Sequence, residues 1–244
     1  MLKYAVRRII ESIPTIFAIT VLAFLAFYLD PADPAVMLAG EQPSEEVVEA
    51  ITERLGLDQP AHIQYFRYLE RLVQGDLGTS YRSRQPVTTH LIPAYRATLV
   101  FMSASMVIML LIGIPAGILS AAKPYSKLDN LVMGGVLFGL SAPIFWVGII
   151  FIYVLSLRLG WFPSSGFFSW KSVVLPATTL GIQYGAIIAR VTRTSMLDVL
   201  SSDYIRTARA KGVGYKNVFF RHALKNAAIP IVTTAGFQVA SMLG

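Results

Sequence analysis

Three histidines, His62, His90 and His222, are the first candidates for acid–base or metal chemistry, and they stand far apart in the chain. There is no cysteine, which removes disulfides, thiolate ligands and thiol nucleophiles. No Gly-x-x-x-x-Gly-Lys-Ser/Thr loop occurs, so the chain has no evident ATP site of its own. Nor does it contain a Gly-x-Ser-x-Gly elbow or paired carboxylates beside a nucleophile. Covalent and metal catalysis are left without candidates, and neither a metal nor another cofactor is expected. Two features remain: polar side chains scattered through apolar stretches, and a basic, glycine-containing run from Asp203 to Lys225.

The polar side chains within apolar stretches include Ser103, Ser105, Ser141, Thr178, Thr179, Gln183, Tyr184 and Gln238. Ser141, Gln183 and Tyr184 are candidates for lining a path, although hydrogen bonding between helices is the commoner use of such groups. The cores of these stretches hold no Asp, Glu, Lys or Arg. A proton-driven carrier usually needs an ionisable relay inside the membrane. A transporter with neither relay nor ATP site would draw its energy from another subunit.

The elements that must position these residues are membrane helices. Hydrophobic residues make up 55% of the chain and charged ones 14%, against roughly 25% charged in soluble proteins. In water such a surface would expose large apolar patches, so lipid is the simpler solvent. Crossing a hydrocarbon core of about 30 Å takes roughly 20 apolar residues at about 1.5 Å each. Five stretches approach or exceed this length: Ser12 to Leu29, Ala97 to Ala122, Asn130 to Leu157, Ser172 to Ala189, and Asn226 to Gly244. The first reads as an uncleaved anchor, because no small-x-small cleavage site follows it. If the fifth helix starts near Ala228, only about 25 Å of rise is available. That predicts a chain cut within or just after a span.

Lys and Arg in the loops set the orientation. With the amino terminus inside, inside segments hold Lys3, Arg7 and Arg8, then Lys123 and Lys127. The last inside segment holds Arg190, Arg193, Arg206, Arg209, Lys211, Lys216, Arg221 and Lys225. The outside segment from Asp30 to Arg96 has ten acids against six arginines, and the next outside loop has only Arg158 and Lys171. The net charge of +7 is then a topology signal, and nucleic acid is not an expected partner. His62 and His90 fall outside and His222 inside, so a shared metal site is not expected.

The expected organisation is all-α. Residues 1–29 form an anchor helix, 30–96 an extracytoplasmic helical region, and 97–244 a membrane-spanning core. Spans lie near 97–122, 130–157, 172–193 and 227–244, with a cytoplasmic loop at 194–226. In the outer region, Ser44 caps a helix that Gly56 ends, and Asp58 and Pro60 open another that closes at Gly75. That region reads either as a helical cap or as a docking surface. In the inner loop, Ser201, Ser202 or Asp203 caps a short helix holding Tyr204, Ile205, Ala208 and Lys211. Gly212-Val213-Gly214 then forces a turn. A second short helix presents Tyr215, Val218, Phe219 and His222 on one face, and Asn226 and Pro230 start the next span. Such a basic loop could equally be an anchor at the lipid surface.

The run from Asp203 to Pro230 resembles the cytoplasmic coupling loop of ABC importer permeases, in the form found in the peptide/nickel family. The general signature is Glu-Ala-Ala, three residues, Gly, nine residues, then Ile-x-Leu-Pro. Ala208, Gly212 and Leu224 match it, while Arg206, Thr207, His222 and Lys225 depart. Tyr-x-Arg-Thr-Ala-Arg-Ala-Lys-Gly, Tyr204 to Gly212, is the peptide-family form. Leu55 to Tyr81, the amino-terminal segment and the second span resemble the same family, and in particular the first of its two paired permeases. Such permeases usually have six spans, so the last would be missing.

The resemblance implies a type I importer permease fold and a set of partners. These are a second homologous permease, two cytoplasmic ABC ATPase subunits, an extracytoplasmic substrate-binding protein and membrane lipid. It implies that Asp203, Tyr204, Arg206, Thr207, Ala208, Ala210, Lys211 and Gly212 meet the ATPase, with Gly214, Phe219 and Leu224 forming the turn and second helix. ATP hydrolysis would then belong to the partner subunits, not to this chain. Di- or oligopeptides are the implied substrates, with glutathione-like peptides and nickel complexes as rivals. The implied location is the bacterial or archaeal cell (inner) membrane, crossed several times; the alternative function is an ATP-independent secondary carrier or channel.

Overall fold

A computed structural model describes residues 2–31, 33–40 and 44–243. Glu41, one of the outer acids, and Gly244, the end of the fifth apolar stretch, lie outside the described residues. Among those described, the ordered elements are helical, apart from one isolated antiparallel bridge between Thr79 and Pro86. The chain divides into two compact units, residues 1–93 and 94–244.

The first unit holds α1 (Leu2–Tyr28), α2 (Pro34–Ala39), α3 (Glu45–Leu55) and α4 (Ala61–Val73). Apolar side chains such as Ile9, Ile13, Ile16 and Leu22 stand uncovered along α1, as suits a helix facing lipid. The Ser44 hydroxyl accepts the Val47 amide at 3.4 Å to start α3, and Gly56 closes it. Helix α4 begins after Pro60 without a side-chain cap, so Asp58 does not open it as expected. Tyr65 of α4 reaches Thr20 of α1, hydroxyl to hydroxyl at 2.9 Å, and its ring packs on Phe17 and Phe24. Thr20 lies about 12 Å before the end of α1 by helical rise. This helix therefore runs beside α1 and does not stand clear of it.

The second unit contains most of α5 (Val87–Ala122), then α6 (Lys127–Ser141), α7 (Ile144–Phe151), α8 (Lys171–Leu200), α9 (Asp203–Ala210) and α10 (Lys225–Leu243). Two π-helical segments, Ile152–Arg158 and Asn217–Leu224, extend α7 and precede α10. Among the described residues, four helical stretches are long and apolar enough to cross a membrane: Val6–Tyr28, Val87–Ala122, Lys171–Leu200 and Asn217–Leu243.

Three expectations are corrected here. The stretch read as a single span over 130–157 is broken at Ala142, and its halves are bent by 101°. Pro143 is the cause, since it has no N–H to donate and drives the residue before it into extended backbone. Ala142 has φ −71° and ψ 127° accordingly. Second, α8 runs on to Leu200, beyond the expected end at 193. Third, the helix expected after the glycine turn does not stop before the next span. Its π-helical winding passes straight into α10, so Asn217–Leu243 is continuous.

The core of this unit gathers Met109, Ile188, Met196, Phe219, Ala223, Ala227 and Ile231, with Tyr184 and Leu224 packed against it. Helix α5 meets α8 at glycines. A Cβ on Gly113 would sit 2.6 Å from the Gly185 carbonyl oxygen, and one on Gly117 2.6 Å from that of Ala189. Gly113 and Gly117, like Gly181 and Gly185, are four residues apart, the spacing that lets membrane helices approach backbone to backbone. Gly113→Ala should cost about 1–3 kcal/mol through overpacking. Gly135→Ala, where a Cβ meets open space, should cost nothing measurable. Denaturant titration of the two variants in detergent micelles tests the difference.

Candidate coupling site

Helix α9 follows α8 after Ser201 and Ser202. Ser202 takes extended backbone at the N-cap position, but its hydroxyl donates to the Val199 carbonyl at 2.6 Å and caps nothing. Side chains divide sharply around α9. Ile205 is fully buried, whereas Tyr204 is 45% exposed, and Asp203, Arg206, Thr207 and Ala210 are exposed too. Ala208 is half-buried. Asp203 and Arg206 form an exposed ion pair at 3.4 Å, worth little in water. Lys211 and Gly212 end the helix uncovered, and Gly212 has φ +81°. That left-handed angle is one a side chain rarely adopts, so glycine makes this reversal. Gly214 is exposed without a positive φ; the turn rests on Gly212 alone.

Beyond the turn, π-helical winding brings residues five apart onto one side. Val218 and Ala223 are both fully buried, and Phe219 between them is 2% exposed. Tyr215, expected on that face, is instead mostly exposed, with its ring stacked on Phe219 at 5.7 Å. The Asn226 amide donates to the Tyr204 hydroxyl at 2.9 Å and to the His222 carbonyl at 2.8 Å. A polar contact thus links α9 to the start of α10.

The three path candidates lie on two helices of the second unit. Ser141 is exposed at the end of α6, and Gln183 and Tyr184 are half-buried along α8. One cavity of about 560 Å³ is lined by residues such as Val100, Ile108, Phe168 and Trp170. Another of about 460 Å³ is lined by residues such as Phe101, Phe145, Pro163 and Thr179. None of the three candidates lines either.

Sequence reasoning missed Asp129, and it counted Arg193 only as a loop charge. Arg193 Nε and Nη2 donate to Asp129 Oδ1 and Oδ2 at 2.8 and 2.7 Å. The Ser120 hydroxyl also donates to Oδ1, and the Tyr125 amide to Oδ2 at 2.7 Å. Ser126 caps α6 by accepting the Asp129 amide at 3.2 Å. The signal was present: Ser126-x-x-Asp129 before an apolar run is a helix-start pattern.

Comparison with known proteins places the chain. Residues 113–244 match the family described as binding-protein-dependent transport system inner membrane component. Residues 1–103 match the amino-terminal domain of binding-protein-dependent transport system membrane components. The glutathione transport system permease proteins GsiC of Escherichia coli K12 and Shigella dysenteriae serotype 1 are each 43% identical over 244 residues. That of Shigella boydii serotype 4 is 42% identical over the same length. Each match covers 100% of this chain and 80% of the relative.

Ile205→Ala should remove the anchor of α9 at a cost of about 2–5 kcal/mol. Hydrogen exchange should then quicken across α9 and leave the middle of α8 protected. With α9 so held, and with whole-chain similarity of this strength, the protein belongs to the binding-protein-dependent transport system inner membrane components, as an ABC importer permease of the peptide/nickel family.

Proposed function

We propose that the amino terminus lies in the cytoplasm and that α9 seats in a surface groove of a cytoplasmic ATPase subunit. The observation that carries this reading is the division of α9 between one buried anchor, Ile205, and a ring of uncovered groups including Tyr204, Arg206, Thr207 and Lys211. A short helix pinned from behind and bare in front can be pushed as a rigid body. Gly212 gives it a fixed exit angle, and Gly214, Phe219 and Leu224 return the chain to the core.

In this reading ATP hydrolysis takes place in two partner subunits, and this chain converts their closure into helix movement. ATP binding shifts the permease between states only if α9 makes different contacts in each. A second homologous permease completes the path, membrane lipid surrounds the helices, and an external binding protein delivers the substrate. Ser141, Gln183 and Tyr184 are proposed path residues. Glutathione, which the relatives' names state as their cargo, is the first substrate to test, ahead of other small peptides and nickel complexes.

Gly212→Pro should abolish uptake and the stimulation of ATP hydrolysis by loaded binding protein while leaving membrane insertion intact. Wild-type values in that variant would remove α9 from the coupling path. These 244 residues hold no cysteine, so Lys211→Cys places a single label within them for a topology test. An impermeant maleimide should label it in inside-out vesicles and not in intact cells; the reverse pattern would refute the orientation. Uptake by vesicles lacking any ATPase subunit would favour a secondary carrier.

A further inference from the structure

We infer that Arg193 is a positioning residue of the transport cycle: by gripping Asp129 it joins α8 and the α5–α6 turn into one rigid body. Motion received at α9 then reaches α6 as well as α8. This inference rests on the reading of α9 as the point where force enters.

Asp129 is 2% exposed, and both of its oxygens are occupied. Oδ1 accepts from Ser120 and from Arg193 Nε, while Oδ2 accepts from Arg193 Nη2 and from the Tyr125 amide. These donors come from the end of α5, the α5–α6 turn and α8, so one carboxylate ties three segments together. The arginine contact is two-pronged, which fixes orientation as well as distance. A lysine would supply the charge without the fork. The guanidinium also lies 5.9 Å from the centre of the Tyr125 ring, on the same turn.

Position along the chain gives this contact its consequence. Arg193 sits in the last part of α8, which leads through Ser201 and Ser202 directly into α9. Beyond the Gly212 turn, the Tyr215 hydroxyl donates to the Ala122 carbonyl at 3.4 Å. The end of α5 is thus held from both sides of the α9 region. From Asp129, α6 runs to the sharp bend at Ala142. Stability alone does not call for such a pair, because apolar replacements of buried ion pairs are often neutral or better. A fixed geometry between two moving helices does call for it.

The test uses the whole transporter, reconstituted with its ATPase, second permease and binding protein. Spin labels on Lys127→Cys and Arg190→Cys, both exposed positions, report the separation of α6 and α8. In the otherwise unaltered protein that separation should be the same without nucleotide and with ATP bound. Arg193→Lys should broaden it and lower substrate moved per ATP hydrolysed by roughly tenfold. The neutral pair Asp129→Asn/Arg193→Gln, which leaves no lone buried charge, should assemble and show the same loss. A change in the wild-type separation on ATP binding would overturn the inference. So would wild-type yield per ATP in Arg193→Lys or in the neutral pair. If Arg193→Lys fails to assemble, the wild-type separations and the neutral pair decide. An external Lys211 or a fully active Gly212→Pro would sink the α9 reading with the separation still constant; a shifting separation with α9 intact sinks the clamp alone.

Discussion

Helix α8 can lie at the centre of the second unit only because it is narrow where α5 meets it. In lipid there is little hydrophobic gain from bringing two apolar helices together, so close packing and hydrogen bonds must do the work. Gly113 and Gly117 on α5, facing Gly185 and Ala189 on α8, allow backbones to approach to a distance that one methyl group would forbid. A Cβ on Gly181 would likewise sit 2.5 Å from the Ile108 side chain and 3.2 Å from the Ser105 carbonyl oxygen. With α5 seated there, other sides of α8 remain for α6, α7 and α10, each of which packs against it. Removing the narrow seam would shift every other contact of α8.

Charge follows the opposite logic. The described apolar spans carry their ionisable groups at or near the ends, where water or headgroups can solvate them. Asp129 and Arg193 are the exception, a buried carboxylate and a mostly covered guanidinium. Each would be costly alone, and together they are satisfied by geometry that also includes a serine hydroxyl and a backbone amide. The carboxylate also falls in the first turn of α6, where the helix dipole favours negative charge. A polar knot of this kind adds little net stability, but it has far fewer acceptable arrangements than an apolar contact.

Much of the architecture was legible in the residues. Hydropathy located the apolar helices, Ser44 and Gly56 bounded α3, and the glycine after Lys211 marked the turn that ends α9. Those signals are local: a run length, a cap, a residue tolerant of positive φ. What was missed depends on partners distant in sequence or on competition between local rules. Hydropathy does not register a missing amide, so Asn130 to Leu157 forms one apolar run in the sequence although Pro143 cuts it. No local rule separates α-helical from π-helical winding over Asn217–Leu224; that choice depends on burying Val218, Phe219 and Ala223 together. Arg193 looked like one of many loop cations because its partner, Asp129, lies 64 residues away in the chain.

The break at Ala142 has one further implication. In an unbroken α-helix the Gly139 carbonyl would accept the amide of residue 143, and proline has none to offer. Hydrocarbon cannot replace that donor, so non-helical backbone at membrane depth persists only beside protein or a wetted cavity. The elbow between α6 and α7 thus marks a point where an otherwise greasy wall has to be backed by neighbouring protein or by moisture.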